Sequence, residues 1–231
     1  MSTTRPDPLV VEFVDGSVEE LLDLSFEEPQ RATLRVCRPT APALVLGSVQ
    51  PADHVDGHAV GRAGLPVVRR RSGGSAVLVD PGSVVWVDVT LPASDPRWVD
   101  DVGRAAWWVG ELWAAALGAL GVEAPVVHRG ALAGDDRRQR VCFAGIGPGE
   151  VTVGGRKVVG VAQRRTRDLA RFQTMALLRW EGRSTGALVG MDDGCDDVAV
   201  GLDVVLGRAV ESDEVVAAVI AAAADNPGQP V

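Results

Sequence analysis

Short apolar runs, separated by glycine, proline and aspartate, predict most of the strands of this chain. Runs of about four to eight apolar residues between turn residues are typical of buried strands. The predicted strands cover residues 42–50, 66–71, 76–79, 83–90, 126–127, 140–143 and 172–180, with a hairpin over 150–165. Because the turns that follow residues 71 and 79 are short, we expect the strands between 66 and 90 to pair as consecutive antiparallel hairpins.

Helical patterns are confined to three segments. Ser17 and Glu20 have the spacing of a capping box, which predicts a short first helix. Between residues 102 and 120 the apolar positions recur at helical spacing, and a last helix, capped by Ser212, is rich in alanine and valine. Many strands and few helices predict an α+β fold with a mixed, largely antiparallel sheet and flanking helices.

The composition is that of a globular domain. The chain has 231 residues, of which 46% are hydrophobic, and this is enough for one sizeable core. We expect a disordered N-terminus over residues 1–12 and a single domain over residues 13–231. No apolar run is long enough to span a membrane, so no membrane contact is expected.

Charge and cysteine content exclude several classes of protein. The formal net charge of -8 argues against a nucleic-acid partner, because phosphate groups are bound by basic surfaces. The three cysteines are widely spaced and predict no disulfide framework, which favours a cytoplasmic location. His54 and His58 lie in a predicted loop without a third ligand nearby, so no metal site is predicted.

One lysine, Lys157, stands among basic residues that are otherwise all arginine. Lysine is a compact point charge, whereas the arginine guanidinium is planar and larger, so the two differ at a shaped site. Residues 154–155 form a Gly-Gly turn, and strict alternation after it places Lys157 on one strand face with Gly160 and Ala162 on the other. Such small residues allow close approach of a ligand. The alternative is a surface lysine retained by chance.

Two segments carry a more specific pattern. The first is Arg-Arg-Arg-Ser-Gly-Gly-Ser-Ala-Val-Leu-Val-Asp at residues 69–80, and the second is Gly-Arg-Lys-Val-Val-Gly-Val-Ala-Gln at residues 155–163. Together with the apolar strand at 44–50, they resemble the signature segments of the lipoate–protein ligase A and octanoyltransferase family. The resemblance covers roughly residues 40–180. It implies a fold shared with biotin protein ligases and related to the catalytic domain of class II synthetases.

The resemblance also implies a site. Lys157 would bond the oxygen of an acyl head group, and the glycine-rich loop would line the acyl tunnel and the side that holds a nucleotide or a carrier phosphate. The implied substrate-binding residues are Arg70, Ser72, Gly73, Gly74, Ser75, Ala76, Asp80, Gly155, Gly160 and Ala162. The sequence departs from the family pattern at Ser75, where a third glycine is usual, at Val79, where histidine is frequent, and at residues 171–173, where many ligases have His-His-Gly.

Cys142 introduces a second mechanism. Its position, in the tripeptide Val-Cys-Phe ahead of Lys157, resembles that of the nucleophilic cysteine of one octanoyltransferase branch, which carries the acyl group as a thioester. Lys157 and Arg140 would favour the thiolate that this chemistry needs. The alternative is a small buried residue that only packs in the core.

Three functional hypotheses follow from the resemblance. The leading one is a ligase that uses ATP and Mg²⁺ to make an acyl-adenylate and passes a lipoyl or octanoyl group to a lysine of an acceptor domain. The second is an octanoyltransferase that needs no cofactor and takes the acyl group from acyl carrier protein through Cys142. The third is a non-catalytic relative that binds an acyl group or an acceptor. A biotin ligase is disfavoured, because the Gly-Arg-Gly sequence of that family is absent.

The same resemblance implies partners. Acceptors would be lipoyl-acceptor domains of 2-oxoacid dehydrogenases or the glycine cleavage H protein. A transferase would also meet acyl carrier protein. Ligases commonly have an accessory C-terminal domain, which is not expected within this chain, so such a domain would be a separate chain or be missing.

Overall fold

The computed structural model describes residues 6–24, 31–191 and 194–225. The strands are β1 (Val10–Gly16), β2 (Thr33–Pro39), β3 (Ala43–Leu46), β4 (Val67–Arg69), β5 (Val77–Val79), β6 (Val84–Pro92), β7 (Val126–Val127), β8 (Val151–Val153), β9 (Arg156–Arg165) and β10 (Leu169–Leu177). The helices are α1 (Val18–Asp23), α2 (Gly57–Ala63), α3 (Val102–Ala105), α4 (Trp107–Ala119), α5 (Gly182–Leu188), α6 (Leu202–Leu206) and α7 (Ser212–Asp225).

These strands form two sheets. The large sheet has the order β1-β2-β6-β10-β9-β8-β7, and the small sheet has the order β4-β3-β5. The pairs β1–β2 and β3–β4 are parallel, and the other pairs are antiparallel. The predicted α+β fold with a mixed, largely antiparallel sheet is therefore confirmed.

The two faces of the large sheet pack against different layers. Along β6, Val85, Val87 and Val89 point into a core shared with α4 and α7, whereas Val84 and Trp86 point into a second core. The second core also contains residues of the small sheet and of α1, α2 and α5. The candidate site lies in this second layer, between the two sheets.

The hairpin pairing predicted between residues 66 and 90 is wrong. β3 lies between β4 and β5, and β6 belongs to the large sheet. The Arg69 guanidinium ties the end of β4 to the loop after β3, because Nη1 donates to the carbonyl oxygens of Gly47 at 2.6 Å and Gln50 at 2.8 Å. Turn residues show where a chain reverses but not which strand it then meets.

Three local predictions also need correction. The segment 140–143 is not a strand. A short 3-10 turn, Cys142–Ala144, begins in it, and Val141 ahead of the turn forms a single bridge to Ala76. The first strand begins within the segment 1–12 that was predicted to be disordered, since β1 starts at Val10. Residues 1–5 lie outside the described part of the chain. The helix predicted over 102–120 is divided into α3 and α4.

The predicted β8–β9 hairpin and the predicted start of α1 are confirmed, whereas Ser212, the predicted cap of the last helix, is instead the first residue of α7. Gly154 and Gly155 have φ angles of 56° and 78°, a pair of positive values that suits glycine in a two-residue hairpin turn. Ser17 and Glu20 form the predicted capping box of α1. Among the described residues, no helix combines the length and apolar character needed to cross a bilayer.

Candidate active site

A narrow apolar cavity lies between the two sheets. Val45, Val77 and Val79 of the small sheet form one wall, and Trp86 and Met175 of the large sheet form another. Apolar walls of this kind suit an alkyl chain, because burial removes its surface from water.

A second, more polar cavity of about 330 Å³ adjoins the first. Its lining includes the backbone of Gly73 and Gly74 and the side chains of Arg138, Glu150 and Lys157. A polar head group or a carrier arm suits this cavity better than an alkyl chain does.

Cys142 lies where the two cavities meet. Both cavities are lined by Arg70, Cys142, Val161 and Ala162. The side chain of Cys142 is partly exposed, unlike those of the buried Cys37 and Cys195. Its position is fixed by the backbone, since the Cys142 N–H donates to the carbonyl oxygen of Ala76 at 2.8 Å. A carbonyl at the end of an alkyl chain in the inner cavity would thus meet the thiol.

Arg70 is the cationic side chain in contact with the sulfur. Its Nη2 lies 3.6 Å from Cys142 Sγ. The guanidinium is held by its own loop, because Nε donates to the Gly73 carbonyl at 3.0 Å and Nη2 to the Ser75 carbonyl at 3.1 Å. Arg140, the arginine expected near the thiol, instead donates to the Val189 carbonyl at 2.8 Å.

The electrostatics of this group favour the thiolate. Burial is the largest single effect and raises the pKa of the Cys142 thiol, and the charge of Glu150 raises it further. The charge of Lys157, the charge of Arg70 and the hydrogen bond from Arg70 lower the pKa, and together they outweigh burial and Glu150. The pKa of Cys142 therefore lies below the ordinary value for cysteine. A larger thiolate fraction at neutral pH makes a better nucleophile.

Lys157 is buried, and its ammonium has a partner for each of its three N–H donors. Its Nζ donates to the carbonyl oxygens of Cys142 at 2.9 Å and Gly145 at 2.8 Å, and it forms an ion pair with Glu150 Oε1 at 2.8 Å. An ammonium has three donors, so these partners use all of them. The ammonium also lies over the ring of Phe143, 4.9 Å from its centroid. In this arrangement the lysine fixes the turn that carries Cys142.

A β-bulge directs Lys157 to this place. Val151 pairs with Val159 while Thr152 pairs with Lys157, so β9 has one extra residue at this point. A bulge changes the alternation of side chains between strand faces. A Cβ built on Gly160 would lie 3.3 Å from Lys157 Cε, which puts both residues on the same side. The predicted separation of Lys157 from Gly160 onto opposite faces is therefore wrong.

Glu150 was not predicted as a site residue. Besides the ion pair with Lys157, its carboxylate accepts the N–H of Gly147 at 2.7 Å and that of Val161 at 3.1 Å. Its side chain is only 6% exposed. A buried carboxylate is rare unless it is paired, but the sequence contains no pattern that shows which of its many acidic residues is buried.

Comparison with known proteins identifies the family. The sequence pattern of the lipoyl protein ligase A/B catalytic domain matches residues 17–224. The chain belongs to this family. It is 28% identical over 211 residues to the octanoyltransferase LipM of Moorella thermoacetica, covering 87% of this chain and 77% of that protein.

Solved structures share the fold of this lipoyl protein ligase A/B domain. A lipoate–protein ligase A bound with ATP superposes with a TM-score of 0.76 at 17% identity, over 97% of this chain and 87% of the other. A bi-partite lipoate protein ligase of Thermoplasma acidophilum, studied with its E2 lipoyl domain, gives a TM-score of 0.70 at 17% identity, over 94% and 83% of the two chains. The family consists of enzymes that attach lipoyl or octanoyl groups to proteins, and this chain is one of them.

The glycine-rich loop of this family member packs tightly beside the cavities. Gly73, Gly74 and Ser75 line the outer cavity. Ser72 is buried next to it, and its Oγ donates to Gln173 Oε1 at 3.1 Å. Ser75, in the place of a third glycine, donates its hydroxyl to the Arg138 carbonyl, so this departure anchors the loop.

Three residues implied by the resemblance lie away from the cavities. Asp80 caps its own turn, where its carboxylate accepts the hydroxyl of Ser83 at 2.7 Å. Gly155 belongs to the hairpin turn. Ala76 is fully buried and acts through its backbone, which pairs with Val141 and holds Cys142. By contrast, Arg70, Gly160 and Ala162 line the inner cavity as expected.

Residues 171–173, where many ligases have His-His-Gly, have a structural role in this chain. Arg171 is buried and forms an ion pair with the fully buried Asp88, which also accepts the indole N–H of Trp86 at 2.7 Å. Arg171 further donates to the carbonyl oxygen of Leu21, at the end of α1, at 2.9 Å. This buried network holds Trp86 in the wall of the inner cavity.

Proposed function

We propose that the protein is an octanoyltransferase-type enzyme that carries the acyl group as a thioester on Cys142. The observation that supports this most strongly is the placement of Cys142 Sγ at the junction of the two cavities, next to Arg70. A cysteine that only packed in the core would have no need of a cationic neighbour or of a partly exposed position. The sequence similarity to the octanoyltransferase LipM agrees with this assignment.

In the first step the thiolate attacks the carbonyl carbon of an acyl thioester presented by acyl carrier protein. The new carbon–sulfur bond forms, the bond to the carrier sulfur breaks, and the carrier thiolate leaves and takes up a proton. The alkyl chain occupies the inner cavity between Val77 and Trp86, while the carrier arm lies in the outer cavity.

In the second step the neutral ε-amine of an acceptor lysine attacks the Cys142 thioester. An amide forms, the Cys142 thiolate is released, and the amine loses a proton to water. The acceptor proposed here is a lipoyl domain, as in the relative of Thermoplasma acidophilum that was studied with its E2 lipoyl domain. A glycine cleavage H protein presents the same chemistry.

The ATP-dependent route of a ligase is the second candidate. The outer cavity is lined by Arg138 and by the glycine backbone of the 73–74 loop, and a basic residue beside a glycine-rich turn suits a nucleotide phosphate. Mg²⁺ would enter with the nucleotide, because this ion is usually held by phosphate oxygens and only one or two carboxylates. The relative bound with ATP keeps this candidate open, although its similarity is one of fold.

The choice of acyl donor tests the proposal. Purified protein is incubated with a lipoyl domain and either octanoyl carrier protein without ATP, or octanoate and lipoate with ATP and Mg²⁺, and the mass of the acceptor is measured. We expect octanoylation from the carrier protein in the absence of ATP. Modification that appears only with ATP and a free acid would support the ligase instead.

A further inference from the structure

One row of paired residues crosses the wall that the large sheet contributes to the inner cavity. Gly160 of β9 pairs with Met175 of β10, and Met175 pairs with Trp86 of β6. All three residues line the inner cavity. Neighbouring strands of a sheet lie about 4.8 Å apart, so the two spacings from Gly160 to Trp86 cover roughly 10 Å.

The two ends of this row differ. Cys142 belongs to the Gly160 end, because a Cβ built on Gly160 would lie 3.3 Å from the ring of Phe143, the residue that follows Cys142. At the other end Trp86 is joined by Leu22 of α1, a helix that packs against β1 and β2 on the far side of β6. An acyl chain that starts at Cys142 would therefore run along the row toward Trp86.

A buried ion pair ties the two residues of this far end together. Trp86 Nε1 donates to one carboxylate oxygen of Asp88 at 2.7 Å, and Arg171 Nε donates to the other at 2.7 Å. Arg171 also donates to the carbonyl oxygens of Leu21 at 2.9 Å and Leu22 at 3.3 Å. Loss of one partner from a buried pair is costly, so the indole ring and α1 are held in place.

We infer that Trp86 ends the inner cavity and limits the acyl chain to about the length of an octanoyl group. The inference rests on the proposed function, because it specifies the chain that the proposed site accepts. With carbon–carbon bonds of about 1.5 Å, an extended octanoyl chain spans roughly 9 Å, which matches the length of the row. A longer chain would have to displace a ring that is only 3% exposed and hydrogen-bonded to Asp88.

Binding of free fatty acids tests the inference without a donor or an acceptor. Hexanoate, octanoate, decanoate and dodecanoate, each below its micellar concentration, are titrated by calorimetry into the wild type, Trp86→Leu, Trp86→Phe and the control Trp108→Leu. Trp108 is a matched control, because it is also a buried tryptophan but packs in the core on the opposite face of the large sheet.

Each methylene that fits the cavity should tighten binding about fourfold. We expect the wild type to bind octanoate about 15-fold more tightly than hexanoate, and to gain nothing more with decanoate. In Trp86→Leu the gain should continue, so that decanoate binds about tenfold more tightly than octanoate. Trp86→Phe should show a smaller gain in the same direction, and Trp108→Leu should match the wild type.

An unchanged preference for octanoate in folded Trp86→Leu would overturn the inference. If that variant does not fold, Trp86→Phe decides, and an unchanged preference there overturns the inference equally. Failure of the wild type to bind any of the acids would also overturn it. The outcome is separate from that of the proposed function: a length limit that depends on Trp86, in a protein that is never acylated on Cys142, would keep the inference and remove the thioester mechanism.

Discussion

The buried ammonium of Lys157 satisfies three acceptors that surround its one nitrogen. Two of them are the carbonyl oxygens of Cys142 and Gly145, at opposite ends of the turn that presents the thiol, and the third is Glu150. A compact charge with three donors can join these groups, whereas a planar fork cannot converge on them. The one lysine of the chain is therefore explained by the geometry around it.

We predict that Lys157→Arg lowers kcat/KM on the order of 100-fold, because displacement of a reacting group by about an ångström has effects of this size. The buried Glu150 would also lose a well-placed partner, so the midpoint of thermal unfolding should fall. Steady-state kinetics and thermal unfolding of the variant would measure both effects.

Arg156→Lys provides the matched control. Residue 156 is exposed and directly precedes Lys157, so this substitution places a lysine beside the site without altering the buried network. Its activity and stability should equal those of the wild type. Wild-type activity in Lys157→Arg would show that the shape of the cation at residue 157 is unimportant.

Part of this arrangement could be predicted from the sequence. The rarity of lysine pointed to Lys157, and its surroundings pointed to Gly160 and Ala162. The direction of the lysine side chain could not be predicted, because it depends on the bulge in β9, which has no residue signature of its own. The contact between Arg70 and Cys142 joins residues 72 positions apart, and local patterns carry no information on such pairs.

The glycine-rich loop is held against the end of β3 by close backbone packing. A Cβ built on Gly47 would lie 1.7 Å from the carbonyl oxygen of Gly74, so only glycine fits at residue 47. The loop that contains Gly73 and Gly74 lines the outer cavity. The position of this loop therefore depends on the glycine that directly follows β3.

We predict that Gly47→Ala lowers the free energy of unfolding by about 1–3 kcal/mol, the usual cost of overpacking, and also lowers activity. The control is Gly118→Ala in α4, where a Cβ would meet nothing within 4 Å. That change should raise the free energy of unfolding by about 0.4–1 kcal/mol, because alanine loses less backbone entropy in a helix. Urea titration of both variants measures the difference, and equal stabilities would contradict the packing argument.

Elements defined by local chemistry could be predicted, and those defined by distant pairing could not. The Gly154-Gly155 hairpin and the capped α1 follow from their own residues. The insertion of β3 between β4 and β5 depends on contacts between segments more than twenty residues apart, such as that of Arg69 with Gly47. Turn signals in residues 72–82 were therefore correct for the bends and misleading for the pairing.

For the whole molecule, the function depends on how the two sheets face each other. The cavity between them has apolar walls that suit an alkyl chain, the outer cavity is more polar, and Cys142 lines both. Because the pKa of Cys142 is lowered, the thiolate should already be populated at a pH where an ordinary cysteine is protonated. The rate of thioester formation should thus rise with pH and reach half of its maximum below about pH 8.5, the ordinary thiol pKa.

Acyl transfer through Cys142 requires a covalent thioester on this residue, and intact-protein mass spectrometry detects such an adduct. The wild type, Cys142→Ala and the control Cys195→Ala, in which a buried cysteine is changed, are incubated with octanoyl carrier protein without an acceptor. We predict an octanoyl adduct on the wild type and on Cys195→Ala that hydroxylamine removes, and none on Cys142→Ala. An equal adduct on Cys142→Ala, or no adduct on the wild type, would show that Cys142 does not carry the acyl group.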